Sequence, residues 1–259
     1  PPASDGVVPA EALVAALEDD TVLLCLMLAN NELGTLQPVA EVAAEYRRRG
    51  VPVLCDAVQA VGKVRVSAPE LGVDYLTLGA HKFHGPLGAA ALWIRKGAPF
   101  DALLAGAPQE AGRRPSTENV PALVGLGAAS QLAAEELEER GDLLTSLRAR
   151  LEGGLARLPQ VRLHCTGSPR LPHTTNAAFL GTPAQLLVPA LDAGGFAVSA
   201  GAACGAGKAA ASPTLKALGL DDDEALCSLR ISFGIANRAH EVDAFLAALP
   251  ATLSALPRR

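Results

Sequence analysis

Residues 74–86 read DYLTLGAHKFHGP, and this stretch directs the interpretation of the whole sequence. The apolar run VDYLTL at 73–78 predicts a buried strand of a parallel sheet. Small residues, a His-Lys pair and then Gly85-Pro86 end the regular structure. Burying an ammonium group is costly, and a lysine that escapes this cost by becoming neutral is a nucleophile able to form a Schiff base. Lys82 is therefore a candidate catalytic residue, and the alternative is a lysine whose ammonium reaches solvent from a strand end.

The composition narrows the function classes. The chain has 259 residues, of which 49% are hydrophobic and 3% are aromatic, and its net charge is −5. Nucleic acid is a poor partner for an acidic chain with few aromatic residues to stack on bases. No apolar run reaches the roughly 18 residues of a membrane span, so we expect no membrane association. Five of the 22 basic residues are lysines, and among these only Lys82 directly follows an apolar strand pattern.

Five cysteines do not suggest a disulfide framework. Cys25 and Cys55 lie inside apolar strand patterns, which predicts buried, reduced thiols in a cytoplasmic protein, and Cys227 is expected to be buried as well. The pair His164-Cys165 is too small a constellation for a metal site, so no metal is predicted.

The first half of the chain alternates strands and helices, which predicts an α/β fold with a mostly parallel sheet. Strands are predicted at 21–28, 51–55, 73–78 and 89–94, with helices at 9–19 and 38–49. Residues 106–119 show no period and predict a long functional loop.

The second half predicts a smaller α+β domain. Strands are predicted at 161–165, 175–180 and 228–233, and helices at 183–193, 213–218 and 240–249. Residues 121–158 are strongly helical, with a predicted break near Gly141. The predicted domains are therefore 1–138, carrying the larger sheet, and 139–259.

Three consecutive strands end in Asn31, Asp56 and Lys82. Ligands of open α/β sheets bind beyond the carboxyl ends of the strands, so these side chains are expected at one edge. A lysine for a Schiff base and a carboxylate for a protonated pyridine nitrogen are what pyridoxal 5'-phosphate (PLP) requires. Gln59 could donate to the phenolic oxygen of that cofactor. The alternative for Asp56 is an N-cap of the following segment.

A second candidate centre is the small-residue loop SAGAACGAG at 199–207. It contains Cys204, the only cysteine placed in such a loop. A thiol that collects a group and passes it on needs mobility and a reachable thiolate. The alternative is a small buried cysteine, the commonest environment of this residue.

Several motifs carry a resemblance to a known family. The segments NNELG (30–34), CDAVQAVGK (55–63) and GAHKFHGPLGAAALWIR (79–95) resemble the class V aminotransferase family of PLP enzymes, and within it cysteine desulfurases and selenocysteine lyases. RRPSTEN (113–119) and SLRISFG (228–234) agree with that resemblance. It implies a fold-type-I PLP-dependent transferase, and it extends from about Val8 to the C-terminus.

The resemblance also implies roles for individual residues. Lys82 would be the Schiff-base lysine, with His81 beside it in the site. The cofactor ring would be held by Asn31, Asp56 and Gln59. Thr117 would reach the phosphate of the partner subunit's cofactor, which implies a homodimer. Arg230, together with Asn31, would bind the substrate carboxylate, and Cys204 would be the nucleophile.

Two departures from the family pattern stand out. Many desulfurases have a phosphate-binding serine at the position of Gly79. The family also has a segment before the position of Pro1, with a Gly-rich phosphate-binding turn and a ring-stacking histidine. The chain is therefore expected to correspond to the C-terminal two-thirds of such an enzyme. Residues 1–259 by themselves are expected to bind PLP weakly, without turnover.

The function that these features predict is a PLP-dependent cysteine desulfurase, which moves sulfur from L-cysteine to a persulfide on Cys204 and releases L-alanine. The resemblance implies a role in iron–sulfur cluster assembly and a sulfur-acceptor protein as a possible partner. Three alternatives stay open: a selenocysteine lyase, a catalytically impaired module for folding or dimerisation, and another class V reaction such as transamination, which would not need Cys204.

Overall fold

The structure is a computed structural model that describes residues 2, 4–201 and 210–257. The chain forms two compact units. The lysine unit comprises Leu13–Leu28 and Val39–Leu137, and the C-terminal unit comprises Pro1–Ala12, Ala29–Pro38 and Glu138–Arg259. The division into functional domains at 1–138 and 139–259 stays a prediction. As a compact unit, the C-terminal half also takes in two short segments from the first 38 residues.

The lysine unit contains a four-stranded sheet in the order β1-β2-β3-β4. Its strands are β1 (Leu24–Met27), β2 (Val53–Asp56), β3 (Tyr75–Gly79) and β4 (Ala90–Ile94). Strands β1, β2 and β3 are parallel, and β4 pairs antiparallel with β3. The prediction of a mostly parallel sheet is confirmed.

Helices of the lysine unit differ in length and packing. They are α2 (Val39–Arg48), α3 (Ala68–Leu71) and α4 (Val120–Glu135), with 3-10 helices at Ala80–Phe83 and Gln109–Gly112. Helix α1 (Ala10–Ala15) comes before them in the chain. Small residues of α4 allow close packing, because Ala129 and Ala133 contact the buried ring of Phe83. This contact anchors the 3-10 helix that follows β3.

A buried carboxylate joins the strands of this sheet. Asp74 lies directly before β3, and its Oδ2 accepts a hydrogen bond of 2.9 Å from the backbone N–H of Val53. Its Oδ1 accepts from Arg95 Nε at 2.7 Å. Because a buried charge requires such partners, Asp74 helps to fix the alignment of β2 with β3, and thereby the alignment of their carboxyl ends.

The C-terminal unit contains an antiparallel sheet in the order β5-β6-β8-β7. Its strands are β5 (Val161–Leu163), β6 (Thr174–Phe179), β7 (Ser199–Ala200) and β8 (Ser228–Ser232). Its helices are α5 (Leu137–Leu155), α6 (Ala184–Ala193), α7 (Pro213–Ala217), α8 (Asp222–Leu226) and α9 (Ala239–Ala255). Leucines of α5, α6 and α9 pack with Phe179 and Phe245 into one core. The predicted α+β architecture of this part of the chain is confirmed.

Two sequence predictions about these elements were wrong. The long helical stretch breaks at Glu136, between α4 and α5, and Gly141 lies inside α5. A glycine only weakens an exposed helix interior, and the break instead falls where one compact unit ends and the other begins. Cys25 is exposed, since it lies with Met27 on the face of β1 that its neighbours leave uncovered. Cys55 and Cys227 are buried, as predicted.

Among the helices of the described ranges, none combines the length and the apolar character that a membrane crossing requires.

Candidate active site

Asp56 ends β2, and its carboxylate is exposed at the carboxyl edge of the sheet. Its Oδ1 accepts hydrogen bonds from the Val58 backbone N–H at 2.9 Å and from Thr77 Oγ1 at 3.3 Å. Thr77 is its register partner on β3. Oδ2 accepts no hydrogen bond from any described residue. The bond to Val58 stabilises a turn, and residues 57–63 form no helix. Asp56 is therefore not the N-cap of a helix, which was the alternative interpretation.

Lys82 lies in the 3-10 helix Ala80–Phe83, which begins directly after β3. Its side chain is exposed, as the alternative of a lysine that reaches solvent expects, and its catalytic role stays a prediction. The strand ends at Gly79, and the tight turn places Phe83, with 1% exposure, in the core and Lys82 outside. The Lys82 carbonyl accepts a 2.5 Å hydrogen bond from Lys63 Nζ. Lys63 is therefore an amine that contacts the backbone of Lys82, and it serves as the control for Lys82.

The segment CDAVQAVGK needs its glycine for this arrangement. Gly62 has φ of +73°, a left-handed conformation that residues with a Cβ rarely adopt. A Cβ at this position would also lie 2.7 Å from the Cβ of Phe83. Gly62 thus allows the turn after β2 to pack directly against the 3-10 helix. Gln59 lies in this turn and is half-buried.

Gly79 leaves room for the ring of His81. An ideal Cβ on Gly79 would lie 3.3 Å from His81 Cε1 and 3.5 Å from His81 Nδ1. A side chain at this position would therefore require a small movement of the imidazole. His81 itself is exposed, like Lys82. Gly79 thus stands where many desulfurases have a serine, and here the imidazole of His81 packs over the glycine.

Thr117 lies in a cavity of about 220 Å³ in the lysine unit. Arg114 and Ser116 also line it and bring a cationic group and a second hydroxyl, and Glu110 and Glu118 add two carboxylates. Ser116 has φ of +91°, an unusual conformation for a non-glycine residue and one that occurs often in functional loops. The long predicted loop therefore has a polar cavity, and its only helix among the described residues is the short 3-10 helix at Gln109–Gly112.

Asn31 and Arg230 come together in the C-terminal unit. Arg230 Nη1 donates a 2.8 Å hydrogen bond to the Asn31 carbonyl. The turn that carries Asn31 forms because Asn30 Oδ1 accepts from the backbone N–H groups of Glu32 and Leu33, at 2.8 and 2.9 Å. The guanidinium of Arg230 uses one nitrogen for this contact, and Nη2 and Nε make no hydrogen bond to the residues described.

The predicted site residues thus fall into two groups. Asp56, Gln59, His81, Lys82 and Thr117 belong to the lysine unit, and Asn31 and Arg230 belong to the C-terminal unit. Cys204 lies outside the described residues. The four cysteines within the described ranges are free thiols, and no group of His, Cys, Asp or Glu there has the arrangement of a metal site.

Sequence reasoning missed residues that support the site. Thr77, which holds the Asp56 carboxylate, could have been found from the register of two adjacent parallel strands. Lys63 gave no signal, because its contact is to a backbone carbonyl. A buried polar chain that includes His164 and Asn176 was also missed, because a single histidine in a strand pattern does not reveal its neighbours.

The sequence matches the family described as aminotransferase class-V over residues 1–245. The chain belongs to this family. Within it, the chain is 39% identical over 249 residues to cysteine desulfurase IscS of Clostridium botulinum (strain Hall / ATCC 3502), with 95% of this chain and 63% of the relative covered.

Solved structures give the same result. A NifS-like protein superposes with a TM-score of 0.91 and 37% identity, covering 99% of this chain and 67% of the other. SspA in complex with cysteine has a TM-score of 0.74 and 26% identity, covering 90% of this chain and 64% of the other. The predicted family and α/β fold class are confirmed. The chain spans about two-thirds or less of the length of these relatives.

Proposed function

We propose that this protein is a PLP-dependent cysteine desulfurase. The observation that carries the proposal is the pair formed by an exposed carboxylate and an exposed amine at the carboxyl ends of two adjacent parallel strands. Asp56 ends β2, and Lys82 lies three residues beyond the end of β3. The similarity to proteins named cysteine desulfurases supports the same proposal.

The chemistry of the donor set fits PLP. The cofactor needs an amine for its aldehyde, an anion for its ring nitrogen and donors for its oxygens. Lys82 would provide the amine, and the Oδ2 atom of Asp56 has no competing partner among the described residues. Gln59 would donate to the ring oxygen. When bound, PLP supplies an electron sink that weakens bonds around the amino acid's α and β carbons.

The protein side chains have distinct tasks in this proposal. The charge of Asp56, held in place by Thr77 and the Val58 N–H, would keep the ring nitrogen protonated. His81, packed over Gly79 beside Lys82, could hold or release a proton at Nδ1 or Nε2. Arg230 would bind the substrate carboxylate with the two nitrogens that Asn31 leaves available.

Cys204 is proposed as the sulfur acceptor within the enzyme. Its thiolate would attack the substrate sulfur, so that a sulfur–sulfur bond forms as the bond between that sulfur and the substrate β carbon breaks. Cysteine and the enzyme thiol would thus give alanine and an enzyme persulfide, with no external oxidant or reductant. The persulfide would pass to a sulfur-acceptor protein, as the proposed role in iron–sulfur cluster assembly requires.

The alternatives differ in what supports them. A structural neighbour was solved with cysteine, and the relative from Clostridium is named a cysteine desulfurase, so cysteine is favoured over selenocysteine as substrate.

The free thiols among the described cysteines support a reducing, cytoplasmic location. A homodimer is supported by exposed apolar residues on α4, and in it Thr117 would donate to the phosphate of the partner subunit's cofactor.

The first test is to trap the lysine that binds PLP. The protein is incubated with excess PLP, reduced with borohydride and mapped by peptide mass spectrometry. The pyridoxyl label is expected on Lys82, and Lys82→Arg should lose both the label and the near-visible absorbance. Lys63→Arg, which alters the neighbouring amine, should keep both. Label on Lys63 in the unaltered protein would refute the assignment.

The second test concerns sulfur transfer in the full-length protein. With L-cysteine, the expected products are alanine and a persulfide on Cys204. Cys204→Ser should abolish sulfur transfer and preserve the near-visible absorbance of bound PLP. Transfer that survives this change would mean that another cysteine carries the sulfur. Normal PLP absorbance without any alanine release from cysteine would support the non-catalytic alternative.

A further inference from the structure

A buried histidine in the C-terminal unit lies between two hydrogen-bond acceptors. His164 is 6% exposed, and its Nδ1 lies 2.7 Å from Asn176 Oδ1. Its Nε2 lies 3.1 Å from Glu224 Oε1. With Oδ1 of the Asn176 amide facing the ring, Nδ1 is the donor of this contact, because an amide oxygen only accepts hydrogen bonds. The two contacts fix the plane of the ring and the orientation of the Asn176 amide.

Two buried carboxylates belong to the same unit as this ring. Glu224 also accepts a 2.6 Å hydrogen bond from Arg162, which reaches solvent. On the opposite side lies the turn that carries Glu32, a carboxylate with 3% exposure. Its Oε2 has no hydrogen-bond partner among the described residues. Both oxygens of Glu224 thus have partners, His164 on Oε1 and Arg162 on Oε2, and these contacts hold the carboxylate against the ring.

The chain of contacts continues into the NNELG turn. With Oδ1 facing His164, the Nδ2 of Asn176 points the other way and donates to the Glu32 carbonyl at 3.4 Å. The next residue back in the turn is Asn31, whose carbonyl accepts from Arg230. Asn176 is also the register partner of Arg230 across β6 and β8. His164 contacts neither Asn31 nor Arg230. It is connected to both through the Asn176 side-chain amide and the backbone of the turn.

We propose that His164 is a positioning residue for Asn31 and Arg230. Its Nδ1–H fixes the Asn176 amide, which holds the NNELG turn where Asn31 and the guanidinium of Arg230 meet. That Arg230 binds a substrate carboxylate rests on the proposed function, whereas the positioning of the turn does not. The proposal assigns the positioning to Nδ1, while Nε2 and Glu224 anchor the ring.

Two substitutions separate the ring nitrogens. The side-chain amide nitrogen of asparagine overlays Nδ1 of histidine, and that of glutamine overlays Nε2. His164→Asn therefore keeps the donor to Asn176 and loses the bond to Glu224. His164→Gln keeps the bond to Glu224 and loses the donor to Asn176. Both lose the ring and create comparable packing defects, so a purely structural role predicts similar effects for the two variants.

The readout is amide hydrogen exchange of the peptide that contains residues 30–34, measured without cofactor or substrate. Their N–H groups are bonded within the turn, for example Gly34 N–H to the Asn30 carbonyl at 3.0 Å. His164→Gln is expected to accelerate this exchange about threefold to tenfold, which corresponds to one lost hydrogen bond. His164→Asn should stay within about twofold of the unaltered protein, as should His240→Gln, a matched change at an exposed histidine.

Equal acceleration in His164→Gln and His164→Asn, or none in either, would overturn the proposal. If His164→Gln does not fold, Asn176→Asp is measured instead. It keeps the side-chain shape and replaces the donor to Glu32 with an acceptor, so faster exchange at 30–34 is expected from it, and unchanged exchange would also overturn the proposal.

A second readout links the turn to the substrate. In an enzyme active on cysteine, His164→Gln should raise KM about threefold to tenfold through Arg230, with little change in kcat or PLP absorbance. If no PLP spectrum develops in any variant while the exchange results hold, the proposed function fails and the positioning role stands.

Discussion

The two carboxylate oxygens of Asp56 differ in their hydrogen bonds: Oδ1 accepts two, and Oδ2 accepts none from the described residues. Oδ1 accepts from the Val58 N–H and Thr77 Oγ1, and these contacts fix the side chain at the end of β2. Two neutral donors can be satisfied as well by an amide oxygen as by a carboxylate oxygen. The negative charge is therefore not needed to hold the turn, and it is available to a ligand at the sheet edge.

This geometry predicts the outcome of Asp56→Asn. The thermal midpoint should change little, because the amide oxygen can accept the same two hydrogen bonds. In the full-length protein, PLP-dependent turnover should fall about 10- to 100-fold, because a hydrogen bond to a charged group is worth about 1.5–3 kcal/mol. Turnover and thermal unfolding are measured on the same preparation. Unchanged turnover would contradict the role proposed for Asp56, and Thr77→Val, which removes one supporting donor, should have a smaller effect.

Cys55 gives a prediction about alkaline stability. Burial, and to a smaller extent the neighbouring Asp56 charge, raises the pKa of the Cys55 thiol from 9.0 to about 12. The folded state therefore keeps this thiol neutral while the unfolded chain ionises above pH 9. Its contribution to stability is full below pH 9 and is lost as the pH rises toward 12, by about 1.4 kcal/mol per unit.

Urea unfolding at several pH values tests this effect. Cys55→Ala should be less stable than the unaltered protein at pH 8, and the difference should shrink at pH 10. Val53→Ala removes a buried side chain from the same strand without removing a titrating group. Its stability deficit should stay constant over this range. A constant deficit for Cys55→Ala would show that the thiol does not ionise differently in the two states.

Which residues the sequence could place depends on whether their role is local. Asp56 was placed at a strand end by strand and turn patterns, and the structure agrees. The same pattern did not show that β3 ends at Gly79 and that Lys82 lies in a 3-10 turn with its side chain exposed. The buried chain through His164 joins segments more than 140 residues apart, so no local pattern could indicate it.

At the scale of elements, the ends of a helix depend more on tertiary packing than on the positions of its glycines. Gly141, Gly153 and Gly154 all lie inside α5. The sequence predicted a break at the first of them, but leucines on one face of α5 pack into the core of the C-terminal unit and hold the helix through these positions. Tertiary packing decides the ends of such a helix, and propensity is a weaker influence.

Two adjacent glycines of α5 give an element-scale prediction. A Cβ on Gly153 meets no atom within 4 Å, whereas a Cβ on Gly154 would lie 2.3 Å from Leu246 Cδ1 of α9. Gly153→Ala should stabilise the protein by about 0.5–1 kcal/mol, since alanine favours the helix. Gly154→Ala gains the same preference and loses about 1–3 kcal/mol through overpacking against α9.

Denaturant unfolding of the two variants decides this prediction. Because both add one methyl group at neighbouring positions, the difference between them isolates the contact of α5 with α9. Gly154→Ala should be the less stable of the pair. Equal stability would mean that Leu246, which is only partly buried, moves aside without cost.

At the scale of the whole molecule, large apolar side chains are exposed on the lysine unit. Val120 and Val124 are 59% and 67% exposed and lie one turn apart on α4. Leu87 and Leu103 are still more exposed, at 83% and 95%. Large exposed apolar side chains such as Val120 and Val124 on one face of a helix are typical of surfaces that other protein covers. Their neighbours in the chain include Thr117, the residue proposed to reach a partner's cofactor.

If the proposed homodimer forms through α4, charged residues introduced on its exposed apolar face should weaken self-association. The double variant Val120→Asp/Val124→Asp should weaken the dimer about 100-fold or more, because two valine side chains contribute about 1.5–3 kcal/mol each when buried. Ala247→Asp adds a charge at an exposed position of α9 in the C-terminal unit, and it should leave the association unchanged. Sedimentation velocity over a range of protein concentrations measures all three proteins. An unaltered protein that is monomeric at every concentration would refute the homodimer. A double variant that associates as tightly as the unaltered protein would place the dimer surface away from α4.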